Sequence, residues 1–532
     1  MSGLLRSNVI VAVGTLLSRL TGMLRIVALT AVLGGNAVSD AYLLANESPN
    51  IVYDLLVGGV LAATLVPLFT SFDADDDDES RNVVVTTAIA MIVAVTVIAV
   101  AVAPIIFGLF SRRIADGVDP ELFRSVGTAL ARIFLIQILF YGLTGLANAY
   151  LNSKRRFFAA AWSPILPNLI IIASLLSIPA STAGEYQLTD VLDDTRLRLT
   201  LGLGATLGIG AMALTLVPAA WRAGLRPVFV WNLKHPAVKK LLSLSFWTIG
   251  FVATNIVALI VIRNLTEPGS SGSTAYFAAF TFFILPHGLL GVSIATTFQP
   301  EMARAVSEKS RSRFIDSASL GIRMTALLTI PAGVGMFVLR RPLIGAALER
   351  GDFTAEDALA ASRALGGLAL GLGAFSIYFF ALRAFYAHQD TKTAFKLNAF
   401  ENLLNIVIGV ALVGSFGILG LGASYAIAYV VAGLWALQVL SYKVPGFSLR
   451  EILTSLFRMI VAAALMGESV WFIVRSIGGN AGGGAFLRLG VGAFVGIVVY
   501  GVLLAAMGAP ELDALRRRLP ARLSGRAPTP AD

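Results

Sequence analysis

Long apolar runs, each of about 20 residues or more, recur from one end of this 532-residue chain to the other. In a helix that rises about 1.5 Å per residue, such a run crosses a hydrocarbon core of roughly 30 Å. With 57% hydrophobic and 14% charged residues, the chain has too little polar sequence to cover a soluble fold. We therefore predict an all-α polytopic membrane protein with about fourteen spans, centred near Leu16, Leu56, Val95, Ile136, Ile171, Thr206, Thr254, Leu289, Ile330, Leu372, Ile406, Ala428, Leu465 and Val495.

The positive charges predict how the spans are oriented, because basic loops stay on the cytoplasmic side of a membrane. Alternate connections are rich in lysine and arginine, from the loop at 154–156 to the C-terminal tail. Both termini are then expected in the cytoplasm, and the first run is too long for a cleavable signal peptide. The net charge of +10 is explained by this topology and does not indicate nucleic-acid binding.

Few residues are suited to metal binding or catalysis. The chain has no cysteine and three histidines that are far apart in sequence, which argues against a metal centre. No nucleophile elbow, zinc signature or phosphate loop is present. The sequence therefore predicts a protein that is not an enzyme and that needs no cofactor.

An internal repeat divides the apolar runs. Residues 41–67 resemble residues 275–300, and residues 150–168 resemble residues 386–405, both at an offset of roughly 235 residues. A duplicated unit of six spans keeps its orientation, so the two copies would form parallel lobes around a central cavity, as in an alternating-access transporter. We predict lobes at 1–230 and 231–445, two additional helices at 446–510 and a basic cytoplasmic tail at 511–532.

The first apolar run contains two arginines, Arg19 and Arg25. An arginine inside a membrane costs roughly 2.5 to 3.5 kcal/mol on insertion scales, so the two are expected to face a cavity or a partner. On an ideal helix Ser18, Gly22 and Arg25 share one face, and Gly22 is a candidate hinge. The alternative is pairing of Arg25 with Asp40 or Asp54 of the next span.

Phosphate is the ligand class that this pair favours, because a guanidinium binds two phosphate oxygens at once. Other polar groups also lie within predicted spans. Each could have a function or could form a hydrogen bond or ion pair between helices. They are Asp54, Arg132, Gln137, Asn168, Asn255, Arg383, Glu401, Asn402, Asn405 and Glu468.

Several motifs together resemble the MurJ (MviN) family of lipid II flippases. They are Ser18-Arg19-Leu20-Thr21-Gly22 with Arg25, Asp40-Ala41, Pro49-Asn50, Gly59, Val66-Pro67, Leu151-Asn152-Ser153 with Phe157 and Pro164, Leu285-Pro286 with Gly288 and Gly291-Val292, Arg350-Gly351 with Phe353, and Phe385-Tyr386-Ala387 with Gln389-Asp390-Thr391-Lys392-Thr393. They follow one another in order over nearly the whole chain.

The resemblance implies a MATE-like transporter in the bacterial plasma membrane. Its substrate would be an undecaprenyl-diphosphate-linked disaccharide-pentapeptide, moved from the inner to the outer leaflet, and cell-wall synthesis enzymes are possible partners. Family positions in substrate binding are matched by Ser18, Arg19, Arg25, Asp40 and Asn50.

The chain also departs from the family pattern. Many members carry arginines in the second and eighth spans, where this chain has Tyr53 or Asp54, and Thr281. Arg263 or Arg383 is a conjectured substitute for the missing charge. The alternatives are a flippase for another polyprenyl-diphosphate glycan, a MATE-type antiporter and a non-transporting membrane scaffold for cell-wall enzymes.

Overall fold

The computed structural model describes residues 2–53, 62–154, 156–179, 181 and 185–511, and helices account for most of them. The first eleven helices are α1 (Ser2–Leu33), α2 (Ala37–Tyr53), α3 (Ala62–Ala74), α4 (Asp78–Ala101), α5 (Ala103–Phe110), α6 (Pro120–Leu135), α7 (Gln137–Ser153), α8 (Phe158–Trp162), α9 (Ile165–Leu176), α10 (Leu188–Asp193) and α11 (Thr195–Arg222). The remaining nine are α12 (Pro236–Leu265), α13 (Gly272–Pro286), α14 (Val292–Ser307), α15 (Arg311–Leu348), α16 (Ala355–Ala369), α17 (Leu372–Ala387), α18 (Thr391–Lys443), α19 (Leu449–Val474) and α20 (Gly482–Ala506).

Ten helical segments in the described part of the chain are long and apolar enough to cross a membrane, or eleven when the bent pair α16 and α17 counts as one span. The prediction of an all-α polytopic membrane protein is confirmed. The predicted span centres fall on helices or at their junctions, except for the centre at Leu56, which lies outside the described residues. Fewer than fourteen segments qualify because Thr391–Lys443, which contains two predicted centres, is a single segment, and because the count covers only the described residues.

The longest helix, α18, contains two of the predicted spans. Its 53 residues are interrupted at Gly417, where the backbone has φ 54° and ψ −137°. Such a positive φ favours glycine, because a Cβ would crowd the neighbouring carbonyl oxygen. The break lies between the predicted centres at Ile406 and Ala428, so α18 supplies two spans.

Two compact units are distinguished by their internal packing. The first comprises Met1–Thr281 and Ala347–Ala361, and the second comprises Phe282–Ala346 and Ser362–Asp532. The first unit thus includes α12 and most of α13, beyond the lobe boundary predicted at residue 230. The predicted lobes describe a duplication in sequence, and they stay a prediction.

Aromatic rings fill the interior of the first unit. Tyr42 of α2 meets Phe134 of α6 edge to face at 5.3 Å, and Phe69 of α3 meets Tyr150 of α7 at 5.5 Å. All four rings are buried. Edge-to-face pairs add about 0.5 to 1.5 kcal/mol to the burial of the rings, and these two pairs join α2 to α6 and α3 to α7.

A turn between α15 and α16 packs against the end of α1 in the first unit. Gly351 has φ +60°, and a Cβ placed there would lie 2.1 Å from the carbonyl oxygen of Ala31. The next residue, Asp352, donates its backbone N–H to the same oxygen at 3.1 Å, and Phe353 is buried. The Arg350-Gly351-Phe353 motif is therefore explained by a close backbone contact.

Side chains at one end of the first unit neutralise part of the acidic run 73–79. The ammonium group of Lys154 lies 2.8 Å from the Asp73 carboxylate, and Arg81 binds Asp73 and Asp78. The hydrogen bond to Asp73 raises the pKa of Lys154. The C-terminal ends of α3 and α7 are thereby joined to the start of α4.

A short π-helical stretch, His287–Gly291, joins α13 to α14. In the second unit, His287 Nδ1 lies 2.9 Å from the hydroxyl of Ser376 on α17, and its ring packs against Phe375 and Phe379. An extra residue in a helical turn redirects the side chains that follow it. The Leu285-Pro286 and Gly288 motif coincides with this irregularity.

The faces that would meet lipid are apolar. Phe494, Ile497 and Val502 of α20 are each more than 60% exposed. In water these side chains would favour aggregation, whereas in a bilayer they are solvated by acyl chains. Their exposure agrees with the assignment of α20 as a span.

Candidate functional site

The helix α1 carries the two predicted cations. It runs without interruption from Ser2 to Leu33 and passes through Gly22, whose role as a hinge stays a prediction. Arg19 is exposed, while Ser18 and Arg25 are partly buried. Among the residues described, neither arginine has a carboxylate oxygen within 4.0 Å.

The backbone around Arg19 is fixed by an asparagine of α9. The side-chain amide of Asn168 donates to the carbonyl oxygen of Ser18 at 3.1 Å and to the hydroxyl of Thr21 at 3.0 Å. A Cβ at Gly22 would lie 3.7 Å from the same amide, which is an ordinary van der Waals contact, so the packing of α9 does not by itself require glycine here. The two hydrogen bonds from Asn168 attach the Ser18-Arg19-Leu20-Thr21-Gly22 motif of α1 to α9.

Arg25 lies close to α2, the helix that follows α1. Its guanidinium lies near the buried side chain of Tyr42 on α2. The alternative pairing of Arg25 with Asp40 is not seen, because the Asp40 carboxylate is bonded to Gly269 and Thr274. Asp54 is the other proposed partner, and Tyr53 is the alternative position for the family arginine. The side chains of both lie outside the described part of the structure.

Asp40 is completely buried and caps the start of α13. One carboxylate oxygen accepts from the backbone N–H of Thr274 at 2.7 Å and from its hydroxyl at 2.6 Å, and the other accepts from the backbone N–H of Gly269 at 2.8 Å. Asp40 and Thr274 occupy equivalent positions in the predicted repeat. A carboxylate at a helix N-terminus is stabilised by the unpaired N–H groups there, so the structure gives Asp40 a packing role.

Asn50 is held by α7. The hydroxyl of Tyr141 donates to the side-chain oxygen of Asn50 at 2.9 Å, and the Asn50 amide donates to the carbonyl of Asn46 at 2.9 Å. Both bonds fix the amide group next to Pro49. Asn50 is partly exposed, and its role in binding substrate stays a prediction.

Arg263 of α12 is neutralised within the first unit. Its Nη2 atom lies 3.1 Å from Oε2 of Glu47 on α2, and both side chains are largely buried. The guanidinium also faces the rings of Tyr276 and Phe277 at 5.7 and 5.8 Å. Arg263 thus carries a charge that Glu47 offsets.

Arg383 belongs to the second unit. Its Nη1 atom donates to Oε1 of Gln299 at 3.1 Å, and the guanidinium lies 4.7 Å from the ring centre of Phe379. These contacts orient the side chain without neutralising its charge. The conjecture that Arg383 replaces a family arginine stays a prediction, and Thr281 donates its hydroxyl to the backbone of α13.

Sequence reasoning missed Glu47. It lies seven residues, or about two helical turns, after Asp40 and between Asn46 and Ser48 of α2, and a carboxylate inside a predicted span is costly enough to be noticed. In the described ranges no three histidine, aspartate or glutamate side chains converge on a position that could hold a metal ion.

The described helices define a polytopic α-helical membrane protein. The family model described as "Lipid II flippase MurJ" matches residues 29–492. The chain belongs to this family. Its members are flippases, so the protein is a transporter of a lipid-linked precursor and not an enzyme.

Relatives agree with this assignment over most of the chain. A probable lipid II flippase MurJ of Haemophilus influenzae is 27% identical over 516 residues, which is 93% of this chain and 98% of the relative. Lipid II flippase MurJ of Burkholderia cenocepacia is 27% identical over 434 residues, or 79% of this chain and 81% of the relative.

Two solved structures share the fold. A lipid II flippase MurJ in an inward closed conformation has a TM-score of 0.77 at 21% identity, with 95% of this chain and 100% of that chain covered. An inward-facing MATE-family multidrug transporter has a TM-score of 0.63 at 14% identity, with 81% and 98% covered. The predicted MATE-like architecture is confirmed.

We expect Asp40→Ala to lower the stability of the folded protein. The substitution leaves the partly buried N–H of Gly269 and the buried N–H of Thr274 without their acceptor, and a fully buried donor without a partner costs about 1 to 3 kcal/mol. Thermal unfolding of the purified protein in detergent measures the loss. Asp119→Ala is the matched control, because Asp119 caps α6 by similar bonds at an exposed position, where the cost is about 1 kcal/mol. An unchanged melting temperature together with weaker substrate binding would instead favour a role of Asp40 in recognition.

Proposed function

We propose that this chain carries lipid II from the cytoplasmic to the outer leaflet of a bacterial plasma membrane by alternating access, with both termini in the cytoplasm. The diphosphate enters from the inner leaflet and is neutralised by Arg19 and Arg25, while the polyprenyl chain stays in lipid. The observation that carries the proposal is the pair of arginines on α1 that have no carboxylate partner in the described part of the chain.

The electrostatics favour a phosphate ligand. An ionised group without a counterion is costly in a membrane, so Arg19 and Arg25 need an anion or water around them. Two guanidinium forks match the oxygens of a diphosphate. Ser18 and Asn50 are polar groups that could contribute hydrogen bonds to the same headgroup.

The membrane potential supplies a driving force. Moving one elementary charge through 100 mV is worth about 2.3 kcal/mol. An anionic headgroup leaving a negative interior moves in the favourable direction. The same potential returns the empty, positively charged carrier towards the cytoplasmic side.

Depletion of the protein tests this function. In a bacterium that depends on this chain as its flippase, depletion should make lipid II accumulate in a form that an externally added modifying enzyme cannot reach. Re-expression of the chain should restore access. Accumulation of a different polyprenyl-diphosphate glycan, with lipid II still reaching the outer leaflet, would contradict the proposed substrate.

A further inference from the structure

The guanidinium of Arg263 is buried but only partly satisfied. Only 5% of the residue is exposed, and Nη2 binds Glu47 at 3.1 Å. The Nε and Nη1 atoms have no hydrogen-bond partner among the described residues. A guanidinium carries five N–H groups in a planar fork, so donors remain available to a further acceptor.

The surroundings of Arg263 offer no such acceptor within the described first unit. Tyr276 and Phe277 present ring faces, which attract the cation but do not accept its N–H bonds as an oxygen does. A buried N–H group without a partner costs about 1 to 3 kcal/mol. An anion that reached Arg263 would recover this cost.

Glu47 is the anionic partner of Arg263. Its carboxylate oxygen makes the same charge-assisted contact with Arg263 that a phosphate oxygen would make. Its side chain is 15% exposed, against 6% for that of Arg263, so the acid is the more accessible member of the pair. A glutamate has three rotatable side-chain bonds and can turn away while the arginine remains in position.

We propose that Arg263 is a second diphosphate-binding residue and that Glu47 is its internal competitor. Without substrate, Glu47 neutralises Arg263. When the headgroup arrives, one of its oxygens displaces the Glu47 carboxylate, and others accept from Nε and Nη1. This inference rests on the proposed function for its ligand class, and it assigns a role to a pair that the family motifs do not include.

Pyrophosphate binding to the full-length protein in detergent tests the competition. Four proteins are compared by calorimetry at constant ionic strength: the wild type, Glu47→Gln, Arg263→Gln and the double variant. Removal of the competitor should tighten pyrophosphate binding about tenfold in Glu47→Gln, within the usual range of coupling between two sites. Arg263→Gln should bind more weakly than the wild type, and the double variant should match Arg263→Gln.

The melting temperature separates this role from a structural ion pair. Each single variant leaves a buried group without its partner and should melt at a lower temperature, whereas the double variant should recover. Pyrophosphate should raise the melting temperature of Glu47→Gln more than chloride does. Equal pyrophosphate affinity in the wild type and Glu47→Gln would overturn the proposal; if Glu47→Gln does not fold, Glu47→Ala, which also removes the carboxylate, serves the same comparison.

Arg25→Gln distinguishes this proposal from the proposed function. If Arg25→Gln loses pyrophosphate binding while Glu47→Gln binds like the wild type, the Arg263 proposal fails and the α1 site stands. If Arg25→Gln binds like the wild type while Glu47→Gln binds more tightly, the Arg263 proposal stands and the α1 site fails.

Discussion

Arg25→Ala should abolish lipid II transport while the protein still folds and inserts into the membrane. The substitution removes a guanidinium that could make two charge-assisted hydrogen bonds to the diphosphate, each worth about 1.5 to 3 kcal/mol. A loss of about 3 kcal/mol corresponds to roughly a hundredfold in rate. Transport is measured as the appearance of lipid II in the outer leaflet of cells or vesicles.

Folding should be spared because Arg25 makes no ion pair within the described residues. Its removal therefore leaves no described carboxylate without a counterion. Arg196→Ala is a suitable control, since Arg196 is an exposed arginine at the start of another span, α11. Near-normal transport by Arg25→Ala would contradict the α1 site.

Arg25→Lys sharpens the same experiment. Lysine keeps the positive charge, but its ammonium group is a point charge that cannot bind two phosphate oxygens as a planar fork. We expect transport between that of the wild type and that of Arg25→Ala. Full activity with lysine would mean that charge alone, without bidentate geometry, is what position 25 supplies.

The spans and the α1 arginines could be predicted because both depend on local sequence. Apolar runs of sufficient length determine where helices cross a membrane, and Gly417 marks the break between the last two spans of the repeat. Arg19 and Arg25 are conspicuous because a charge inside an apolar run is costly. Such features can be recognised without knowing which helices are neighbours.

The partners of the polar residues could not be predicted, because they are distant in sequence. The Asp40 carboxylate bonds to a backbone N–H 234 residues away, and Glu47 pairs with an arginine 216 residues away. Periodicity places each acid on a face of α2, but it does not indicate which helix covers that face. A motif alone suggests a substrate role for Asp40, whereas its structural contacts depend on the packing of α13.

The Arg350-Gly351 motif is a second case in which the sequence shows a residue but not the contact that requires it. Its glycine is conspicuous in sequence, but the reason for it lies on α1. At Gly351 the backbone has a positive φ and approaches the carbonyl oxygen of Ala31. Only the folded first unit brings these two segments together.

Gly351→Ala should therefore destabilise the protein strongly, although it adds only one methyl group. The new Cβ would lie 2.1 Å from the Ala31 oxygen, and an alanine at φ +60° costs a further 1 to 2 kcal/mol, approximately. We expect a total loss of about 3 kcal/mol or more, because the neighbour is backbone and cannot rotate away. The yield of monodisperse protein and its melting temperature measure the effect.

Two other glycines separate the causes of this loss. Gly482 also has a positive φ, of +57°, but no atom lies within 4 Å of its Cβ position, so Gly482→Ala should show the backbone strain alone. Gly490 has open space and lies within α20, where alanine is favoured over glycine by about 0.5 to 1 kcal/mol. The expected order of melting temperatures is Gly490→Ala highest, then Gly482→Ala, then Gly351→Ala. If Gly351→Ala and Gly482→Ala have the same melting temperature, the contact with Ala31 contributes nothing to the loss of stability. The close packing of this turn on α1 would then not be the reason for glycine at position 351.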